Sequence, residues 1–444
     1  MSGREKSGGR KCKVQICLFL VLVTVSLWGL GVETSFAQLS GNEVSYAFTG
    51  GAIPRNGFLP LMSTNGIKAG SFRIHPFFGA GEIFTDNAFR TSSNRQSDFV
   101  HTVSPGIQIQ LPFAGLHRAA IDYRATKSFS QRFPSNNVLN QDLRGQVLLN
   151  FPGGLEMKLQ GGYAQGFDLR GSELDLQFLE PTKWAQKTFI GEAETIGSQF
   201  GVRLRVRAVD REFKNNNQAV TRDRLSSQGN ITVFGLIAPK TYALLNFGVT
   251  RQVYDQNTQL DSMNYQMNTG LRWRATGKTT GEIQVGYTFL IPDRAPRSQP
   301  SGSPLSSGGS RSDAIQVSGS LNWQPASRLN MSLRPSRSIQ QSGILGTSTF
   351  TQTAIDFTAN YTFGALTSIN ANFNYADSVF ENDQGNLGAT TRKDNNFGGG
   401  FGVTYQAVRW LGVTAQYRYD QRSSTIAAFE SYANTLMVSI QGIF

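Results

Sequence analysis

The chain has 444 residues, of which 39% are hydrophobic and only 16% are charged, and it contains 47 glycines. It carries 42 basic and 30 acidic residues, a formal net charge of +12, which favours nucleic acid, a membrane surface or acidic solutes as partners. The only cysteines are Cys12 and Cys17. Their position near the N-terminus excludes a disulfide framework or a cysteine metal site from the rest of the chain.

Residues 1–37 have the features of a signal peptide. A basic start is followed by an apolar run from about Val14 to Leu30 and by Ser35-Phe36-Ala37, a small-x-small cleavage site. An uncleaved membrane anchor is the alternative, because the apolar run is near the lower limit for a membrane span. Cleavage after Ala37 is the favoured interpretation, and export of the chain removes nucleic acid from the possible partners.

Residues 38–71 are weakly patterned and contain Gly, Asn and Pro, which predicts a periplasmic N-terminal arm or a partial plug. From residue 72 to 444 the chain repeats a unit of strand, short turn, strand and longer polar loop. This repeat predicts an all-β fold, a transmembrane antiparallel β-barrel of about 18 strands. Sixteen strands is the alternative, because Ala185 to Glu194 alternates poorly. The predicted short turns are centred near Phe113, Pro152, Thr195, Pro239, Gly277, Pro325, Ala365 and Val408.

The last predicted strand, about Ser431 to Phe444, shows the alternation most clearly. Leu436, Val438, Ile440 and Phe444 share one face, which predicts a C-terminal signal for the barrel assembly machinery, although Gly442 replaces the bulky residue expected there. Throughout the repeat one face is apolar and suits outer-membrane lipid, while the other is too polar for a core and predicts a wet lumen. Aromatic residues beside the short turns predict an interfacial girdle: Phe151, Trp273, Trp323, Phe363 and Trp410.

Three arginines, Arg203, Arg205 and Arg207, alternate with apolar residues and are therefore predicted to face the lumen at a spacing of about 7 Å. Such a ladder suits successive anionic groups, but pairing with carboxylates on neighbouring strands is an open alternative. The same phase predicts further pore-lining basic residues, and together they favour anionic solutes. These residues are Arg124, Lys158, Arg272, Arg274, Arg334 and Arg418.

Catalysis is not indicated by any motif. The chain has three histidines, His75, His101 and His117, without a nucleophile elbow or a histidine pair at metal-ligand spacing. His101 and Ser104 are the one candidate pair for the base and nucleophile of a hydrolase. The sequence therefore predicts no enzyme activity, no metal and no cofactor.

The first strand and loop read Gly81-Glu82-Ile83-Phe84-Thr85-Asp86-Asn87-Ala88-Phe89-Arg90, followed by Ser97-Asp98-Phe99 and Pro105-Gly106. In these motifs, the chain resembles the outer-membrane β-barrel porins found with exopolysaccharide biosynthesis systems. The resemblance covers about Phe72 to Phe444. It implies a Gram-negative outer-membrane barrel that serves polysaccharide secretion, with periplasmic polysaccharide-export proteins as partners, and it supplies no binding residues. Together with the inward basic residues, it predicts an anionic polysaccharide as a further partner.

The sequence thus predicts an aqueous translocation pore acting in exopolysaccharide export. A general or anion-preferring diffusion porin is the first alternative. The second is a surface adhesion barrel that uses long loops such as Pro292 to Ser312 to bind other cells or matrix.

Overall fold

The computed structural model describes residues 66–168, 170, 180–276, 278–293, 312–341, 349–380 and 392–444, without the side chains of 259, 274–276 and 341. This part of the chain is almost entirely β-structure, and it contains no helix long and apolar enough to cross a membrane. The strands are β1 Ile67–Ala69, β2 Phe72–Thr85, β3 Asp98–Phe113, β4 His117–Ser130, β5 Val138–Asn150, β6 Leu155–Phe167, β7 Lys183–Ile196, β8 Phe200–Phe213, β9 Arg224–Ala238, β10 Thr241–Tyr254, β11 Ser262–Thr276, β12 Thr279–Pro292, β13 Ser312–Ala326, β14 Leu329–Gln341, β15 Thr349–Phe363, β16 Thr367–Phe380, β17 Lys393–Val408, β18 Leu411–Ser424 and β19 Ser431–Ile443.

Strands β2 to β19 form one closed antiparallel sheet. Each pairs with its neighbours in the chain, and β19 pairs back onto β2 from Thr435 opposite Thr85 to Ile443 opposite Phe77. Closure satisfies the backbone hydrogen bonds of both edge strands, as a sheet in lipid requires. The predicted barrel of 18 strands is confirmed, and the alternative of sixteen is wrong.

The connections differ at the two ends of the barrel. At one end the strands are joined by turns of two to four residues, each close to a break expected from the sequence. At the other end the loops are longer, and one contains the short helix α1, Ala219–Arg222. Short turns mark the periplasmic end of an outer-membrane barrel and long loops the extracellular end. The predicted loop Pro292 to Ser312 lies mostly outside the described residues.

Strand β7 explains why the sequence left sixteen strands open. Its register with β6 and β8 is unbroken, from Trp184 opposite Phe213 to Ile196 opposite Gly201. Each face of β7 nevertheless carries a residue of the wrong polarity. Lys187 lies on the outward side, where it pairs with Asp210 at 3.3 Å, and Ile190 lies on the inward side. The pairing with its neighbours therefore identifies β7 as a strand, although its sequence does not alternate between polar and apolar residues.

The outward face is apolar over most of its height. Its alternate positions carry large exposed hydrophobic side chains, such as Leu245, Met267 and Phe401. Phe151, Trp323, Phe363 and Trp410 are exposed beside the periplasmic turns, at the level of the predicted girdle. Trp273 differs, because its ring lies over Gly281, where an added Cβ would come within 2.3 Å of the ring.

The apolar band ends before the extracellular ends of the strands. Outward side chains there form ion pairs and hydrogen bonds between neighbouring strands, such as the 2.7 Å contact of His101 with Glu82 and the contact of Arg251 with Asp293. Charged groups are costly in hydrocarbon. This level therefore marks the extracellular boundary of the membrane.

The C-terminal strand shows the predicted face. Leu436, Val438, Ile440 and Phe444 are all about half exposed on the outside of β19. The ring of Phe444 stacks on Trp410 with centroids 5.5 Å apart, and a Cβ added to Gly442 would lie 3.4 Å from Phe444. The Phe444 ring therefore covers the position where the sequence lacks a bulky side chain.

Candidate functional site: the barrel interior

The inward face of the wall is identified by contacts that cross the barrel. Arg272 on β11 donates a 3.1 Å hydrogen bond to Glu194 on β7, and Arg203 on β8 lies 3.7 Å from Glu282 on β12. Each pair joins strands that lie four positions apart in the sheet. Side chains on strands this far apart can meet only through the interior, so these four residues face inward. Residues that lie opposite them on neighbouring strands, and every second residue along each strand, share that face.

These four residues form one charged cluster near the periplasmic end, here called the brace. Arg272 also donates to Glu282 at 2.7 Å, and Arg203 donates to Glu194. Both guanidinium groups lie over the ring of Phe234, at 4.5 Å for Arg272 and 5.1 Å for Arg203. The brace contains two positive and two negative groups, and it buries Phe234 completely. A balanced, hydrogen-bonded cluster on an aromatic ring holds β7 and β8 to β11 and β12, four positions away in the sheet.

The three arginines of β8 face the interior as expected, but carboxylates of neighbouring strands lie beside two of them. Arg205 lies 3.8 Å from Glu192, and Arg203 belongs to the brace. Arg207 lies opposite Gln228 on β9. The carboxylates of Glu192 and Glu194 were missed in the sequence because they lie in β7, where the alternation is weak. The cross-strand pairing that was the open alternative therefore holds for Arg203 and Arg205.

The other predicted basic residues are spread around the wall. Arg124 lies on β4 with its guanidinium 5.0 Å from the ring of Phe77, and Lys158 on β6 lies opposite Glu192. Arg272 belongs to the brace, and Arg334 on β14 lies opposite Asp356 on β15. The structure does not bring these residues into one basic patch.

The side chain of Arg418 forms hydrogen bonds to other side chains of the barrel wall. It donates to Asp420 at 2.8 Å and to the side-chain oxygens of Asn372 and Asn374 at 2.9 and 2.7 Å. Arg274 lies on β11, and its side chain is outside the described residues.

The wall formed by β9 to β16 has a different chemistry. Besides charged positions and buried apolar residues such as Phe234, Leu244 and Leu290, its inward side chains are amides and hydroxyls. Many of these bond to one another, such as Asn246 to Thr232 at 2.7 Å and Gln266 to Asn230 at 2.6 Å. We call this surface the amide wall. It includes Gln228, Asn230, Thr232, Asn246, Asn264, Gln266, Asn268, Gln284, Thr288, Gln316, Ser318, Ser320, Asn322, Asn330, Ser332, Thr358, Asn360, Asn370, Asn372 and Asn374.

The extracellular mouth is shaped by the loop 86–97, which contains the motif Asp86-Asn87-Ala88-Phe89-Arg90. Asn87 is fully buried and donates to the backbone oxygens of Thr91 and Tyr432 at 2.7 and 2.9 Å. Asp86 accepts from the backbone and side-chain nitrogens of Asn434, both at 2.8 Å. The loop is thereby fixed to β19, beside the seam where the barrel closes.

Arg90 extends from this loop to the inward face. It lies 3.4 Å from Asp420 on β18, and its backbone has a φ of 55°. Burial lowers the pKa of the Arg90 guanidinium, and Asp420 partly offsets this effect. Burial likewise lowers the pKa of Arg222 in α1, which binds Asp168 of another loop at 2.7 Å. Arginine stays protonated in proteins, so both are fixed positive charges at the mouth.

The histidines do not assemble a catalytic site. His101 faces outward and binds Glu82, while Ser104 faces inward and contacts Thr126 at 2.9 Å. His117 accepts a hydrogen bond from the backbone of Asn150 in a periplasmic turn. In the described part of the chain no group of three or more His, Cys, Asp or Glu residues could hold a metal ion.

The family is decided by a match over most of the chain. Residues 60–443 match the family model described as "Putative beta-barrel porin 2". The chain belongs to this family. As a member of a porin family it is a channel of the Gram-negative outer membrane and not an enzyme. The predicted porin family is confirmed, whereas the polysaccharide link is a separate proposal.

Solved outer-membrane barrels resemble the chain in fold. Pseudomonas aeruginosa OpdL has 9% identity and a TM-score of 0.46, with 85% of this chain and 99% of OpdL covered. The FrpB iron transporter of Neisseria meningitidis, F5-1 variant apoprotein, has 9% identity and a TM-score of 0.45, with 85% and 82% covered. A mutant of the ferric enterobactin receptor PfeA of P. aeruginosa has 8% identity and a TM-score of 0.42, with 84% and 80% covered. A search of curated proteins found no match.

Proposed function

We propose that this porin is a conduit for a hydrophilic polysaccharide across the outer membrane, acting in exopolysaccharide export. The observation that carries the proposal is the amide wall. Amides and hydroxyls both donate and accept hydrogen bonds, as sugar hydroxyls do. Many such contacts, each weak, let a chain enter and leave without being trapped.

The charge distribution supports a polymer of low charge density. A lumen that selects anions needs unpaired positive charge along the path. Here Arg203 and Arg272 are balanced by Glu194 and Glu282 in the brace, and Arg205 lies beside Glu192. The anionic polysaccharide expected from the sequence is therefore replaced, in this proposal, by one that is neutral or sparsely charged.

An anion-preferring diffusion porin is the second candidate. The inward arginines of β8, extended by Arg211, favour it, because they form a basic strip from the brace towards the mouth. The candidates differ in size limit, since a diffusion porin passes small solutes whereas an export conduit passes a flexible polymer.

Release from proteoliposomes tests the proposal. Vesicles containing the refolded mature protein are loaded with fluorescent neutral dextrans of graded mass. The proposal predicts release of chains several times longer than an oligosaccharide, with slower release by Gln266→Leu and Asn372→Leu, two wall residues that are only partly buried. The outward change Met267→Leu is the matched control. Release limited to small solutes, unaffected by both amide variants, would favour the diffusion porin.

The same proposal predicts partner proteins on the periplasmic side. A conduit for export receives its polymer from the periplasm, so we expect polysaccharide-export proteins to bind at the short-turn end. Pull-down with the detergent-purified barrel, compared with a barrel whose periplasmic turns are exchanged for those of an unrelated porin, tests this expectation.

A further inference from the structure

The loop 86–97 places one arginine, Arg90, on the inner wall of the extracellular mouth. Asn87 anchors this loop through hydrogen bonds that do not involve Arg90. The Arg90 backbone has a φ of 55°, a left-handed conformation that is unfavourable for arginine. Its side chain reaches Asp420 of β18 and Thr435 of β19, which lie on the inward face. The anchored loop thus holds Arg90 at the pore wall against its local backbone preference.

The hydrogen bonds of Arg90 are few and long for a buried guanidinium. Nη2 lies 3.4 Å from Oδ2 of Asp420 and 3.5 Å from Oγ1 of Thr435, whereas strong charged hydrogen bonds measure about 2.7–2.9 Å. Nη1 is buried and has no hydrogen-bond partner within the described part of the chain. The side chain is 16% exposed. Arg90 therefore retains most of its capacity to bind an oxyanion, and only weak contacts are lost when it does so.

Asp420 cannot fully neutralise Arg90, because it is already bound by Arg418. Nε and Nη2 of Arg418 lie 2.8 and 2.7 Å from Oδ1 of Asp420. A Cβ added to Gly398 would come within 2.5 Å of Nη2 of Arg418, so this glycine leaves room for the guanidinium on the wall. Besides burial, which lowers the pKa of Arg90, repulsion by Arg418 lowers it further, while Asp420 and Asp86 oppose the shift.

A similar arrangement recurs closer to the extracellular end of β18. Asp394 is fully buried and binds both Arg392 and Arg422, at 2.7 and 2.6 Å. In the described part of the chain, four guanidinium groups thus bind two carboxylates at this side of the mouth. We call this group the mouth cluster, and its members are Arg90, Arg392, Arg418, Arg422, Asp394 and Asp420. Its excess of positive charge contrasts with the balanced brace.

We propose that the mouth cluster binds the carboxylate of an acidic sugar, and that Arg90 is the residue that engages it. Guanidinium and carboxylate groups match in a two-pronged geometry, and Arg90 turns from Asp420 towards the lumen while the loop stays anchored. Hydroxyls of the sugar meet the amide wall at Asn372 and Asn374, which accept hydrogen bonds from Arg418. The choice of a sugar rests on the proposed function, to which it adds that the sparse charges of the polymer are carboxylates.

Thermal stabilisation by sodium D-glucuronate provides the first test. Detergent-purified mature protein is heated in glucuronate, or in glucose with sodium chloride at equal ionic strength, and unfolding is followed by the mobility shift on gels. A ligand that binds only the folded barrel raises the midpoint. We expect a higher midpoint in glucuronate for the wild type and no rise for Arg90→Gln. Arg95→Gln is the control and keeps the rise, because it removes a charge from the same loop at a guanidinium that lies over Tyr432.

Current recordings provide the second test. Glucuronate added at the extracellular side should block the wild-type pore, and Arg90→Gln should weaken this block roughly tenfold, the loss expected for a charged hydrogen-bonded pair. No midpoint rise in the wild type, or an equal rise in Arg90→Gln, would overturn the site. Stronger stabilisation by inorganic phosphate than by glucuronate would overturn its assignment to a sugar carboxylate. Release of neutral dextrans does not depend on Arg90, so failure of this site is distinguishable from failure of the proposed function.

Discussion

At the residue scale, the interior depends on a few pairs whose partners are far apart in the sequence. Arg272 and Glu194 are separated by 78 residues, so no local pattern relates them. The brace is largely buried, since Arg203 and Glu194 are each 12% exposed at the side chain. Replacing one member leaves the opposite charge without its partner, which affects both stability and the field in the pore.

Arg203→Ala is predicted to make the pore more cation-selective, because Glu194 and Glu282 would face Arg272 alone. Glu194→Gln is the reciprocal change and should shift selectivity towards anions. Each variant also loses about 1–3 kcal/mol of folding free energy, from the lost charged hydrogen bonds. The measurement is the reversal potential in a salt gradient; shifts of the same sign in the two variants would contradict the balanced brace.

The Pro105-Gly106 motif is explained by close packing. A Cβ added to Gly106 would lie 2.1 Å from Cζ of Phe77 and 2.6 Å from the backbone oxygen of Tyr123. Gly106→Ala is therefore predicted to destabilise the barrel by about 1–3 kcal/mol, measured as a lower midpoint in urea refolding. Gly145→Ala is the control, because nothing lies within 4 Å of an added Cβ there. Equal midpoints in the two variants would exclude this explanation.

At the scale of elements, the strands were predictable and the loops were not. Alternation fixes the face of each residue once a strand exists, so β2 was expected with the bounds that the structure shows, Phe72–Thr85. The alternation failed at β7, where Lys187 faces lipid beside Asp210 and Ile190 faces the lumen. The path of loop 86–97 depends on hydrogen bonds to β18 and β19, more than 300 residues away. Only the resemblance to a family drew attention to its Asp-Asn-x-x-Arg motif.

The loop 86–97 is predicted to stabilise the closing seam between β2 and β19. Asn87→Ala removes two buried side-chain donors and should cost about 1–3 kcal/mol. The expected result is a lower temperature for the shift from folded to unfolded mobility on gels. Ser93→Ala, at an exposed position of the same loop, should have no effect. A loss of equal size in both variants would show that the loop acts without the Asn87 contacts.

The C-terminal strand is predicted to carry the assembly signal through Phe444. Phe444→Ala removes the ring that stacks on Trp410, so we expect a lower yield of inserted barrel in the presence of the assembly machinery, whereas Phe444→Tyr should restore it. Phe401→Ala, at another exposed outward position, controls for the loss of lipid-facing surface. If Phe401→Ala lowers the yield as much as Phe444→Ala, the signal does not lie at the C-terminus.

At the scale of the whole molecule, one side of the barrel is rich in inward charges and another is rich in inward amides and hydroxyls. Strands β4 to β8 carry most of the inward ionic groups, and many of these face an opposite charge across the ladder, as Asp122 faces Arg144. Strands β9 to β16 present the amide wall. The sequence could predict a polar lumen, but not this division, because cross-strand and cross-barrel pairing decides how much charge is neutralised.

The most direct measurement of the central claim is single-channel current through the refolded mature protein, with neutral oligosaccharides added at the periplasmic side. The proposed conduit predicts an open pore with weak ion selectivity and brief current blocks, which shorten in Gln266→Leu and Asn372→Leu. A strongly anion-selective pore in which neutral oligosaccharides of any length cause no block would contradict it.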